Sequence, residues 1–327
     1  MKIRGFSVDG FMLALVAVVA LAALVPQIGA TDGPLHVDQV ATYGIALIFF
    51  LYGLTLAPDK LKQGASHWRL HIVVQAATFI LFPAIVFLLV MPFRDMLPPG
   101  LATGFLYLGA LPSTVSSSVA LTGIARGNVP IAIFNATLSS IIGVFATPLL
   151  MAWFASTTGD PLPVLPVITK IVLLVLLPMA LGQIARIWLK DWASKHVKKI
   201  RMVDRIVILL IVFNAFSDSM IGGVWEGHDL WLIGAMVAGA ILIFVVVYLV
   251  LKLICRLLAF DVPDTIACLF CGTVKSLATG VPLARIMFGN DPLLGLIIAP
   301  TMIYHVFQLF VLGVIANRYA GRPEERQ

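Results

Sequence analysis

Apolar residues run along this chain in long blocks, and polar or helix-breaking residues fall between the blocks rather than at regular intervals within them. About 20 apolar residues are what an α-helix needs to cross the ~30 Å hydrocarbon core of a bilayer. Reading the blocks against their Pro, Gly and charged interruptions predicts ten helices, over residues 10–29, 37–56, 70–91, 99–123, 129–154, 164–189, 203–222, 229–258, 264–288 and 293–317. Composition agrees, with 60% apolar residues, 12% charged residues and a mean hydropathy of +1.03 in 327 residues. A soluble domain carries about 25% charged residues. The expected fold class is an all-α polytopic membrane protein with no large soluble domain.

Charge then orients the helices. Lys2 and Arg4 precede the first; Lys60, Lys62 and Arg69 follow the second; Arg126 follows the fourth. The connection after the sixth carries Arg186, Lys190, Lys195, Lys198, Lys199, Arg201 and Arg205; Lys252 and Arg256 close the eighth, and Arg318, Arg322 and Arg326 close the chain. With ten spans all of these lie on one side, opposite Asp32, Asp38, Asp160, Glu226 and Asp229, so both termini are expected in the cytoplasm. The net charge of +6 is thus a membrane-orientation signal and not a nucleic-acid patch. A cleaved signal peptide over residues 1–30 is the competing reading of the basic start, and it lacks a small-residue cleavage pattern.

The two halves resemble each other. Ser113 to Asn128 overlays Lys275 to Asn290 without a gap, matching Val119 with Val281, Leu121 with Leu283 and the two Gly-Asn pairs. Each stretch lies in the fourth helix of a five-helix half. Five is odd, so the second half enters the membrane in the opposite sense, the inverted-topology repeat of secondary transporters. The predicted halves are residues 1–159 and 160–327.

Both stretches place a helix breaker beside polar groups at mid-span. Proline removes a backbone donor and clashes with the preceding turn, so the fourth helix breaks near Pro112, next to Ser113, Thr114, Ser116, Ser117 and Ser118. Glycine opens the ninth near Gly272, next to Thr273, Lys275, Ser276 and, a turn later, Thr279. Unwound backbone at membrane depth has to be buried in protein or line a cavity, so the breaks locate a site. Each second half-helix starts there with a positive dipole end.

The ten-helix count, the Pro-then-hydroxyl break ending in Ala125-Arg126-Gly127-Asn128, the Lys275-Ser-Leu-Ala-Thr-Gly-Val-Pro282 segment and Tyr304-His305 resemble the bile acid:sodium symporter superfamily, most closely the branch containing its orphan seventh vertebrate member. The resemblance covers nearly the whole chain. It implies a panel of helices 1, 2, 6 and 7 against a core of helices 3–5 and 8–10, with helices 4 and 9 crossing at their breaks. It implies sodium-coupled uptake of organic anions by alternating access. Family hydroxyl and amide ligands match Ser117 and Ser118; helix-5 hydroxyl positions fall on Ala132 and Ala136, leaving Asn135 and Ser139 as neighbouring substitutes; Gln75 and His305 resemble a family glutamine and a histidine near the substrate cavity. The implied sodium ligands are Ser117, Ser118, Asn135, Ser139 and Gln75. The glutamate that serves both sodium sites has no counterpart, and Phe270 or Thr273 takes its place.

Lys275 stands out among the candidates because an ionised lysine at mid-membrane costs at least ~2.5–3.5 kcal/mol unless paired or wet. Helices 3, 4, 5, 8, 9 and 10 hold no mid-span carboxylate for it. Two positive half-helix ends and an ammonium favour an anion; the structural alternative is a lysine capping carbonyls of the broken half-helix. Asn135 with Ser139, and Thr301 with His305 and Gln308, form polar stripes at helical spacing. Asp218 is the acid closest to an apolar span, Arg285 is a candidate partner of Asp291 or a residue lining the outer vestibule, and Cys268-x-x-Cys271, with Cys255 in the same apolar region, has dithiol spacing without a second pair.

These readings converge on a non-enzymatic sodium:organic anion symporter of the bacterial inner membrane, with the lipid bilayer and a small organic anion as partners, Na⁺ as the only implied cofactor, and no nucleic acid. The alternative is a sodium-independent or proton-coupled anion transporter in which Lys275 replaces a coupling cation. From other classes, a channel or a regulatory membrane protein on the same fold is the rival, and a Ser–Lys hydrolase lacks an oxyanion-hole pattern.

Overall fold

A computed structural model describes residues 2–3, 6–7, 10–55, 67–98, 100–158, 164–226 and 230–322. Arg4, Lys60, Lys62, Arg326, Asp160 and Asp229 of the orientation pattern, and the predicted boundary between the halves, lie outside the described residues. Apart from a two-residue antiparallel ladder, Lys2–Ile3 with Phe6–Ser7, every described element is helical.

The helices are α1 (Gly10–Leu24), α2 (Pro26–Gly29), α3 (Val37–Thr55), α4 (Trp68–Met96), α5 (Leu101–Ala110), α6 (Val115–Ile124), α7 (Val129–Thr158), α8 (Leu165–Lys195), α9 (Val197–Ile221), α10 (Leu230–Leu257), α11 (Val262–Gly272), α12 (Leu277–Phe288) and α13 (Leu294–Ala320). Each predicted range holds helix. Among the described residues, seven spans are long and apolar enough to cross a membrane, and the pair α5–α6, bent by 62°, makes eight. Two predicted spans fall outside that criterion. α1 has 15 residues, about 22 Å at 1.5 Å per residue. α9 begins at Val197 instead of 203, so its first turns carry Lys198, Lys199 and Arg201.

Burial is inverted relative to a soluble protein. Lys275, Asn135 and Gln308 are fully buried, whereas Leu88, Ile80 and Leu173 are exposed at 71%, 69% and 56%. Outward-facing aliphatic side chains with inward polar ones are the surface of a protein solvated by lipid.

The chain divides into two compact units. One comprises Met1–Leu56, Leu162–His228 and Val281–Ile298. In it α3 packs on α8 and α9, and α1 and α2 pack on α9. The α3–α8 contact is backbone to backbone: a Cβ added at Gly53 would meet Met179 O at 2.1 Å, and one at Gly182 would meet Phe50 O at 2.1 Å. Small residues permit this approach in membranes. Gln183 Nε2 and Arg186 Nη1 then donate to the carbonyls of Gly53 and Leu54, each at 2.8 Å.

The other unit comprises Ala57–Pro161, Asp229–Gly280 and Ala299–Gln327. In it α4 packs on α5, α7, α10 and α11, and α6 packs on α7 and α11. Asp261 caps α11 by accepting from Asp264 N at 2.8 Å, and Asn128 Nδ2 donates to Asp264 Oδ1 at 2.8 Å. This pins the start of α7 to the start of α11.

Candidate functional site at two helix breaks

The breaks lie where proline and glycine placed them. α5 ends at Ala110 and α6 begins at Val115 across Pro112; α11 ends at Gly272 and α12 begins at Leu277. The two unwound segments bond to each other, Ser276 N–H donating to Pro112 O at 2.9 Å.

A broken helix leaves carbonyls without intrahelical partners, and at this depth each needs another donor. Thr147 Oγ1 donates to Ala110 O at 2.8 Å and Tyr304 Oη to Thr273 O at 2.7 Å, while Tyr107 Oη ties α5 to α12 through Gly280 O at 2.5 Å. Gln308 bridges the peptide of Lys275, accepting from its N–H at 2.8 Å and donating to its carbonyl at 2.9 Å.

The ammonium of Lys275 satisfies three more. Its Nζ lies 2.6 Å from Leu111 O, 2.8 Å from Gly109 O and 3.0 Å from Thr78 O, with the Phe82 ring face 4.1 Å away. Two of these oxygens belong to the C-terminal end of α5, the negative end of its dipole. The third is freed by Pro83. Upstream of that proline α4 widens into a π turn over Ala77–Leu81, in which Phe82 N–H reaches back to Ala77 O. In that register Thr78 O would take the N–H of residue 83, which proline lacks. α8 repeats the device, with a π turn at Val172–Leu176 ahead of Pro178.

An ammonium has three N–H groups, and three carbonyls accept them. Lys275 is therefore a carbonyl-capping lysine in this structure, with no donor left over for an anion. The two half-helix starts also differ. At α12, Ser276 Oγ accepts from Thr279 N at 3.2 Å and closes the first turn. At α6 no side chain caps the N–H groups: Thr114 Oγ1 bonds Ser117 Oγ at 2.8 Å instead, and Val115 is 41% exposed. Of the two positive ends expected, that of α6 has no side-chain cap.

The other candidates sort into three groups. Ser113 and Ser139 join at the crossing, where Ser113 N–H donates to Ser139 Oγ at 2.9 Å while the Ser113 hydroxyl is buried with no partner. This mirrors the second break: Ser113 and Lys275 are the residues that the overlay of the halves superposes, and the backbone N–H of each is held by a side chain of the following long helix. Gln75 Nε2 donates to Asn135 O at 3.1 Å and Oδ1 at 3.3 Å, Asn135 Nδ2 meets His71 Nδ1 at 3.0 Å, and Gln75 Oε1 is buried without a partner. Ser118 donates to Thr114 O within α6. Ser116 is exposed, on the opposite side of α6 from Ser118. Thr273 Oγ1 donates back to Leu269 O at 2.7 Å, and Gln308 Nε2 donates to His305 Nδ1 at 3.0 Å.

Some expectations are corrected. Arg285 does not pair with Asp291: its Nη1 donates to Gly289 O at 3.0 Å, and Asp291 Oδ1 accepts from Leu293 N at 2.8 Å. The two members of the Cys-x-x-Cys pair diverge. Cys268 neighbours Cys255, Cys271 donates to Ala132 O at 3.7 Å, and all three are free thiols. Sequence reading passed over Tyr107 and Thr147; a buried hydroxyl in an apolar span has to find an acceptor, and that was the available signal.

Interlocked, internally bonded breaks inside a shell of lipid-facing helices define a class, the polytopic transport proteins built on discontinuous helices. The chain matches the SBF-like CPA transporter family over residues 9–321. It is 41% identical over 321 residues to an uncharacterized protein of Pseudomonas aeruginosa, covering 98% of this chain and 95% of the relative. It is 38% identical over 319 residues to YfeH of Escherichia coli (strain K12), covering 98% and 95%. To sodium/bile acid cotransporter 7 of Mus musculus it is 31% identical over 333 residues, covering 98% and 94%. The chain belongs to the SBF-like CPA transporter family: it is an integral multi-pass membrane transporter and not an enzyme.

Proposed function

We propose that this protein is a secondary-active carrier of a small organic anion, built from two inverted five-helix repeats and working by alternating access. On this reading the chain has ten spans in a bacterial inner membrane with both termini cytoplasmic, and the basic connections support that orientation. The repeat reading is supported by the matched anchoring of Ser113 and Lys275. The division of the chain into two units supports a core of helices 3–5 and 8–10 and a panel of helices 1, 2, 6 and 7 except at Val281–Ile298, which groups with the panel helices.

The observation that carries the proposal is the occupied carbonyl cage. Lys275 sits where unwound carbonyls converge, which is cation-binding chemistry in broken-helix transporters. The core thus holds its own cation, and the substrate anion is bound at the uncapped start of α6, by its N–H groups and by Ser113, Thr114 and Ser117. Sodium at this site is dispensable on this reading. A sodium-coupled reading draws on the mouse relative's name and on Gln75, whose buried Oε1 has no partner beside Asn135, with Ser117, Ser118 and Ser139 as further ligands.

Uptake of radiolabelled taurocholate and a panel of small carboxylates into proteoliposomes tests both. Saturable uptake of one of them, equal in sodium and in choline media, is the expected result. Uptake that requires sodium favours the Gln75 reading, and uptake of none by well-folded protein removes the organic-anion assignment.

A further inference from the structure

A second buried polar cluster lies far along the chain from the helix breaks, in the unit formed by Met1–Leu56, Leu162–His228 and Val281–Ile298. It is built on one face of α9. Asn214, Ser217 and Asp218 stand at i, i+3 and i+4 and converge on the segment that follows α2. Asp218 accepts from Thr31 N at 2.8 Å and from Thr31 Oγ1 at 2.7 Å. Asn214 Nδ2 donates to Gly29 O at 2.8 Å and reaches Thr31 Oγ1 at 3.4 Å. Ser217 packs against Gly29, where an added Cβ would fall 2.4 Å from its Oγ.

Two buried polar groups of this cluster have no partner. Asn214 is 1% exposed and its Oδ1 has no partner; Ser217 is 0% exposed and its Oγ has none. Asp38 Oδ1, at the start of α3, is also buried and unpartnered. Unpartnered polar groups cost about 1–3 kcal/mol each when buried. Charge points the same way. Arg285 lies within electrostatic reach of both Asp218 and Asp38 and forms an ion pair with neither. Carboxylate, amide and hydroxyl oxygens together suit a hard cation.

We propose that Asp218, Asn214 Oδ1, Ser217 Oγ and Thr31 Oγ1 form a binding site for a monovalent alkali cation. The site is separate from the anion site proposed at the helix breaks and stands or falls independently of it. On this proposal a carrier with a lysine in its core cation position binds its free ion in the other unit.

The test is thermal unfolding of purified protein in detergent, titrated with sodium at constant ionic strength against potassium and choline. Wild type is expected to show saturable stabilisation by sodium. Ser217→Ala, which deletes an unpartnered hydroxyl and no existing hydrogen bond, and Asn214→Ala are each expected to raise the half-saturating concentration about tenfold, the scale of losing one group that supports an ion site. Asp218→Asn is expected to abolish the effect; if that variant does not fold, Ser217→Ala decides. No sodium-specific shift in wild type overturns the proposal. So does an unchanged titration in Ser217→Ala and Asn214→Ala, or loss of the shift in Gln75→Ala with these two unaffected.

Discussion

Gln308 holds Lys275 by both of its backbone groups, a side-chain amide taking the place of the helical neighbours that the break removed. The arrangement fixes the backbone from which the lysine side chain departs, and so fixes where its ammonium lands. Gln308→Leu orphans a buried N–H and a buried C=O, and about 3 kcal/mol of stability should be lost. Gln308→Glu keeps the acceptor and loses the donor, so its unfolding midpoint should fall between the two. Equal midpoints for all three proteins would show that the break is held elsewhere.

Removing the ammonium leaves three carbonyl oxygens facing an apolar gap. Lys275→Ala should lose about 3 kcal/mol or more, since hydrogen bonds to a charged group contribute about 1.5–3 kcal/mol each. Methylammonium, which carries the same three donors, should restore part of that stability in a saturable way and leave wild type unchanged. A variant that melts like wild type, or gains nothing from methylammonium, would show that the cage does not act as a cation site.

The Ser113 hydroxyl has no partner, so Ser113→Ala removes no hydrogen bond. Its unfolding midpoint should match wild type, within about 0.5 kcal/mol in stability. Anion uptake should nonetheless weaken, with KM raised, because the hydroxyl is assigned to the substrate. Unchanged kinetics would remove Ser113 from the site.

Gly182 and Gly234 should answer an added methyl group in opposite directions. At Gly182 it meets the Phe50 carbonyl at 2.1 Å, and Gly182→Ala should cost about 3 kcal/mol by forcing α3 and α8 apart. At Gly234, in α10, nothing lies within 4 Å, and Gly234→Ala should stabilise by about 0.5–1 kcal/mol through helix propensity alone. Melting curves of the two variants check the pair.

Much of this architecture is legible in the sequence because the membrane enforces a simple rule. An apolar block becomes a helix, and the observed elements start and stop within a few residues of the blocks, at Val37, Val129 and Val262 for example. Pro112 and Gly272, each beside polar residues, announce the two breaks. What lies inside them is not legible. The partners of Lys275 are carbonyl oxygens, which every residue has, so no residue type marks them. That Thr78 O is free at all depends on a π turn that Pro83 sets up, a shift of one residue in hydrogen-bond register. The hydroxyl run 113–118 reads as one feature, yet helix geometry turns Ser118 inward and Ser116 outward. α9 starts early because helix continues through basic residues that hydropathy treats as an interruption.

The tethered ammonium also bears on energetics. An ion that exchanges with solution on each side of a membrane can run down its gradient and drag cargo uphill. One that is bonded to the polypeptide crosses nothing and dissipates nothing. On the proposed carrier reading, Lys275 neutralises charge in every cycle and contributes no driving force, so accumulation of substrate against a concentration difference is then powered by the membrane voltage, by a different ion, or by counterflow of another anion.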